Sequence, residues 1–405
     1  MIARNCRFGL GLLAAAALAA APLGGAFAEE GLKVGAVIPL TGTYGSYGKG
    51  LAAGIKIALD EINAAGGVLG QPVELSTEDD QTDATAGLNA AKKLIDVDKV
   101  DAIIGTFATS VTLPILSYST KAKVPVFTVA GAPDITGIGK ETGLVYRFVS
   151  TEGVFGQSYA LYARQLGLGK AYVLAANNAA HLASAEAFEA RFTAEGGTFL
   201  GKTVFEPNQS SYRSEVTKAL AEKPDVIMLG AYTNDAIVLA KTILQLEPDV
   251  KLIGPLYALN DEFVAAIGPA AEGVYAADAM SAEDSPAYKR FEPLYKAATG
   301  DTPTGNPYAV MDYDELITLA LAVEAAKSTD PAVFLPFIKQ VANAPGVKVT
   351  SFAEGLAALK DGQDIEYSGA SSTVDFDDNG DLKSMFFRTF VIEGGKAVSK
   401  GVVAP

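Results

Sequence analysis

The order of apolar runs constrains this chain more than any other feature. Short, nearly continuous apolar segments alternate with longer segments of helical periodicity, and the alternation runs twice. In the first pass, residues 33–39, 73–75, 101–105 and 125–128 read as strands. Residues 46–64, 84–97 and 112–121 read as the helices between them. Leu51, Ile55, Ala58, Leu59 and Ile62 recur at helical spacing, and Gly66-Gly67 then stops that helix. The rhythm restarts after a strand at 145–149, with strands at 171–175, 203–205, 225–229 and 251–254 and helices at 156–166, 183–194, 212–221 and 235–246. Strands that are apolar throughout must be covered on both faces, which calls for parallel sheets between helices. The expected fold is α/β, with two doubly wound parallel-sheet lobes.

The last third does not build another lobe. Residues 286–298, 308–326 and 331–341 read as helices with no strands between them, so they need an existing sheet to cover, and the first lobe is the candidate. Two tail strands, at 373–376 and 385–392, are joined by Asp377-Asp378-Asn379-Gly380-Asp381 and extend the second sheet. This predicts three hinge crossovers, near residues 149–153, 277–281 and 367–371. The expected division is residues 29–149 with 279–368 in lobe 1, and 150–278 with 369–405 in lobe 2. In open α/β sheets ligands sit beyond the C-terminal strand ends, so two such lobes place a ligand cleft between them.

The N-terminus reads as an export signal. Arg4 and Arg7 precede an apolar stretch over residues 8–23, and Ala26-Phe27-Ala28 is a small-x-small cleavage site. Residues 1–28 are therefore the expected signal peptide, with no membrane span after its removal. The single cysteine, Cys6, falls inside it, which leaves the mature chain without disulfide or thiol chemistry. With 32 basic against 47 acidic residues, the net charge of −15 disfavours nucleic acid as a partner.

Most catalytic chemistries lack their parts. One histidine, His181, cannot build a multi-histidine metal site, and no Gly-x-Ser-x-Gly elbow is present. The run from Gly42 to Gly50 misses the P-loop spacing: Thr43 stands where a glycine is required, and Gly50 follows Lys49 where Ser or Thr is required. It reads instead as a Gly-rich loop before a helix, bringing backbone close to a ligand, with Tyr44 and Tyr47 flanking the cleft mouth. Asp375 to Asp381 imitates a calcium loop, but Phe386 stands where a bidentate Glu is needed, so it reads as a turn. No metal and no cofactor is expected. Thr106 to Pro114 follows a strand and opens a helix, where Thr109 and Ser110 can cap. A helix N-terminus with two hydroxyls suits a carboxylate. Val129-Ala130-Gly131-Ala132, after the next strand, forms a second rim beside it.

Taken together, Val37-Ile38-Pro39-Leu40-Thr41-Gly42, the stretch from Asp60 to Gly70, Glu78-Asp79-Asp80-Gln81-Thr82-Asp83, the Thr109–Pro114 segment, Pro224-Asp225-Val226 and the late Asp377–Leu382 turn resemble the solute-binding proteins of branched-chain amino acid ABC importers. The resemblance covers essentially all of the mature chain. It implies a periplasmic, non-enzymatic protein that closes two lobes on a small ligand and docks, as a monomer, on an ABC permease and its ATPases. It also implies that Thr109 binds a ligand carboxylate, that the Ala130 carbonyl meets an ammonium, and that Tyr232 reaches in from the second lobe. Two departures stand out. Ala132 occupies a position that often holds Thr, and Gly254-Pro255-Leu256-Tyr257 places Leu256 where a Glu often pairs the ammonium. Asp261 is one substitute for that Glu, although Asn260-Asp261-Glu262 reads as a helix cap and first turn.

The expected ligand therefore carries a carboxylate and an apolar or aromatic body, and an amino group is optional. Phe107, Tyr44, Tyr232 and Tyr257 would wall its pocket. His181 reads either as a distal polar contact or as a helix-start surface residue. A branched-chain or other hydrophobic amino acid is the alternative ligand, and a ligand-sensing receptor subunit is the alternative role.

Overall fold

The computed structural model describes residues 1–2, 31–383 and 385–405. The expected signal peptide, apart from Met1 and Ile2, lies outside the described residues. No helix among the described residues is long and apolar enough to cross a membrane.

Five strands come first: β1 (Lys33–Ile38), β2 (Glu74–Asp79), β3 (Ala102–Thr106), β4 (Val126–Thr128) and β5 (Val145–Arg147). They pair in the order β2-β1-β3-β4-β5, all parallel. A further five follow: β6 (Lys170–Ala176), β7 (Thr198–Phe205), β8 (Val226–Gly230), β9 (Lys251–Pro255) and β10 (Tyr275–Ala279). Their order, β7-β6-β8-β9-β10, repeats the first topology strand for strand. β1, β3, β6 and β8 are buried over nearly their whole length, as expected for strands between helical layers. A small parallel pair, β11 (Val347–Val349) with β12 (Ile365–Tyr367), was not legible in the sequence.

The tail differs from expectation. Residues 373–376 form no strand; Phe376 makes a single bridge to Leu382. The strands that extend the second sheet are β13 (Phe387–Glu393) and β14 (Lys396–Val403), both antiparallel. The turn between them and residue 376 docks on the first sheet. Arg147 N–H donates to the Gly380 carbonyl at 2.8 Å, and the Arg147 guanidinium lies 2.6 Å from Asp381. The third crossing thus lies between residues 382 and 387, later than the expected 367–371. The acidic turn is held by its own bonds: Asp377 Oδ1 accepts from the N–H groups of Asn379 and Asp381.

The three late helices cover the first lobe. Helix Tyr308–Ala326 packs on helix Gly45–Ala64 and on β3 and β4, and it is buried on all sides from Tyr308 to Val323. The close approach depends on Gly54, where a Cβ would meet the Ala309 carbonyl oxygen at 2.0 Å. Gly48 and Gly50 also lie inside helix Gly45–Ala64, facing the Pro39 carbonyl and the Tyr295 hydroxyl respectively. Gly48, Gly50 and Gly54 therefore serve the packing of this helix and not the ligand-approaching loop expected from the sequence, while Gly42 stays in the loop after β1, close against the Gln81 carbonyl.

Candidate ligand-binding site

The connections change direction between β1 and β3 in the first sheet and between β6 and β8 in the second, and a ligand crevice lies beyond the C-terminal strand ends at such a point. From the first lobe, Tyr44 follows β1, Phe107 and Thr109 follow β3, and Gly131 follows β4. From the second, Tyr232 follows β8 and Tyr257 follows β9. All six line one narrow cavity, together with Val149, Glu152, Phe155 and Tyr308.

The walls are aromatic, and the two lobes touch through them. The Tyr44 ring stands edge-on to Phe107 at 5.0 Å and to Tyr232 across the cleft at 5.3 Å. Phe107 meets Tyr308 at 4.9 Å, while Tyr47 stacks behind Phe107 at 5.5 Å. Such edge-to-face pairs add about 0.5–1.5 kcal/mol each beyond the area they bury.

The other expected residues sit further back. Ser110 is exposed, and its hydroxyl reaches the Tyr232 phenol. Ala130 is buried beside the cavity, its N–H held by the Thr128 hydroxyl. The Ala132 carbonyl accepts from Arg147 at 2.8 Å, which leaves it engaged inside the fold. Leu256 is buried against the sheet, its N–H donating to the Ala277 carbonyl. His181 is neither a surface residue nor part of the cavity wall. It is buried behind Tyr232, rings 4.5 Å apart, and burial pushes its pKa down to about 3, so it is neutral. Thr109 and Ser110 do not cap their helix; Ala108 precedes it without a side-chain cap bond, and Thr109 is its first residue. The N–H groups of Val111 and Thr112 already donate to the Ala108 carbonyl, at 3.0 and 2.9 Å, which leaves those of Thr109 and Ser110 at the positive end of the dipole without an intrahelical carbonyl.

Two acids that sequence reasoning passed over come from the crossings. Glu152 opens helix Glu152–Gln165 directly after β5, and Asp278 lies in β10. Glu152 is buried, and its pKa is raised to about 8 by that burial and by Asp278, against the Tyr257 hydrogen bond and Arg147. Asp278 is raised to about 7 by burial, against hydrogen bonds that include Tyr308 at 2.7 Å. Glu152 had a signal: it is an acid inside the first expected crossing. Tyr308 had none, because its partner lies thirty residues away in the chain.

A periplasmic binding protein model matches residues 31–378. The chain belongs to the periplasmic binding protein family. Among its relatives is the Leu/Ile/Val-binding protein BraC3 of Rhizobium johnstonii, 29% identical, the match covering 95% of this chain and 96% of that protein. The leucine-binding protein LivK of Thermotoga maritima superposes with a TM-score of 0.78 at 24% identity, over 92% of this chain and 99% of the other. A solute-binding protein of an ABC transporter from R. palustris, solved with benzoate, gives 0.71 at 22% identity, over 93% and 97%. The two structural likenesses show the fold. The family match and the relative named for binding leucine, isoleucine and valine bear out the expected family and solute-binding role, and the structural likeness bears out the two-lobed fold.

Proposed function

We propose that the mature chain is a monomeric, non-enzymatic periplasmic protein that captures one small carboxylate-bearing ligand with an apolar or aromatic body and delivers it to an ABC permease and its ATPases. The observation that carries this reading is the aromatic cavity at the paired strand ends, with a helix N-terminus on one side. The carboxylate meets Thr109 and the first turn of helix Thr109–Ala122, where free N–H groups and the dipole favour an anion. The ligand body lies among Tyr44, Phe107, Tyr232 and Tyr257. Relatives named for leucine, isoleucine and valine, and a neighbour solved with benzoate, bracket this chemistry.

Thermal unfolding of refolded, ligand-free protein tests the reading. Aliphatic amino acids, aromatic amino acids and aromatic carboxylates are offered beside sugars and polyamines. A true ligand at a thousand times its Kd adds about 4 kcal/mol of stability. A shift with at least one carboxylate is expected. Stabilisation by sugars or polyamines alone would sink the proposal.

A further inference from the structure

Leu256 leaves a ligand ammonium without the acid that the resemblance supplies, and Asp261 is exposed at the start of its helix. The cavity nonetheless contains an acid in a built position. The Glu152 N–H donates to the Gly131 carbonyl at 2.7 Å. Gly131 also makes room for the side chain, since a Cβ there would lie 2.7 Å from Glu152 Cγ. Glu152 is 7% exposed and lines the cavity. Its Oε1 accepts from the Tyr257 hydroxyl at 3.4 Å, whereas Oε2 is buried with no hydrogen-bond partner.

The surrounding bonds set the polarity of that free oxygen. Asn178 Oδ1 accepts the His181 backbone N–H at 3.0 Å, which turns the Asn178 amide nitrogen toward His181 Nδ1 at 2.8 Å. With Nδ1 accepting, the neutral ring carries its proton on Nε2, 3.5 Å from the Tyr257 hydroxyl oxygen. That oxygen is approached by the ring N–H, so its own proton points on to Glu152. The run of donors ends on Oε1, so once Glu152 is ionised Oε2 is left to accept. An unpaired acceptor buried in an apolar cavity is costly unless the ligand brings a donor.

We propose that Glu152 is the counter-charge for a ligand ammonium group, so that the ligand is a zwitterionic amino acid with an apolar or aromatic side chain. The inference rests on the cavity described above being the ligand site. A carboxylate at helix Thr109–Ala122 and an ammonium at Glu152 would satisfy opposite charges from different elements. Glu152, from a crossing, takes over the task that Leu256 cannot perform.

The test compares matched pairs by calorimetry: leucine with isocaproate, and phenylalanine with hydrocinnamate, on wild type and Glu152→Gln. Binding of the amino acids alone is expected, with Glu152→Gln weakening it about thirtyfold or more, as for loss of one member of a buried charge pair. The free variant should unfold at or above the wild-type temperature, which separates lost recognition from lost folding. Equal or tighter binding of the desamino acids, or an unchanged amino acid affinity in Glu152→Gln, overturns the inference while leaving the cleft reading intact. If none of the four binds, the inference falls; whether the cleft reading falls with it is decided by the wider ligand panel.

Discussion

Glu152 couples ligand binding to protons. Burial, and secondarily Asp278, raises its pKa to about 8, so in the free protein at neutral pH it is mostly protonated. The groups facing it are Asp278 from β10, Arg147 from β5, and the phenols of Tyr44, Tyr159, Tyr232 and Tyr257. The phenols are all pushed up by burial and stay neutral, as does His181, so Asp278 is the one other group titrating near pH 7. An ammonium beside Glu152 favours the carboxylate, and binding then expels a proton. Amino acid affinity should therefore rise about tenfold per pH unit below pH 8 and level off above it. Calorimetry in two buffers of different ionisation enthalpy measures the proton count, with Asp278→Asn as the control for the second acid. Proton uptake on binding would mean that Glu152 acts as a neutral donor to an anion.

At the scale of elements, helix Tyr308–Ala326 shows how far burial governs this chain. It is held between the first sheet and helix Gly45–Ala64, yet carries Asp312, Asp314 and Glu315, all fully buried. Asp314 is satisfied: Tyr367 and the N–H of Ala370 donate to one oxygen, and Ser371 donates to the other through N–H and hydroxyl. Asp312 has no partner on either oxygen, and Glu315 bonds only the Gly105 N–H, at 2.8 Å. Burial raises both pKa values well above the carboxylate range, and the charge of Asp312 raises Glu315 further. Folded-state values above the unfolded ones mean that the native state holds more protons, so stability is fullest at low pH and falls as pH rises through the folded values. Asp312→Asn should flatten this fall, read as the change in urea midpoint between pH 6 and pH 9. An unchanged slope would refute the assignment.

Across the whole molecule, the crossings are tied together by one buried cation. Arg147 ends β5 with no exposed surface; it binds the Ala132 carbonyl, the Thr136 hydroxyl and Asp381. The Asp381 contact fastens the late turn to the first lobe just before the chain enters β13. Asp381→Ala leaves the guanidinium buried without its counter-charge, which should cost about 3–5 kcal/mol in chemical denaturation. Hydrogen exchange should show the N–H of Arg147, bonded to Gly380, losing protection first. A loss under about 1 kcal/mol would mean that the turn is held mainly by its internal bonds.

The sequence by itself determined the two α/β halves and the strand cores, because apolar periodicity and helix stops are local properties. Tyr44 and Phe107 were legible as residues of the loops after recognisable strands, whereas Tyr232 and Tyr257 were reached through the family resemblance. Only the tertiary structure decided what the polar groups do. Glu152, Asp278 and Tyr308 meet because crossings and a late helix converge on the cleft floor, and no local pattern encodes that convergence. His181, expected either as a distal ligand contact or as a surface residue, is instead a buried support, because its burial depends on the segments after β8 and β9 laying Tyr232 and Tyr257 over it. The turn after residue 376 changed lobes for a similar reason. Its own sequence specifies a turn, but the buried Arg147, which needs a carboxylate beside it, decides where that turn docks.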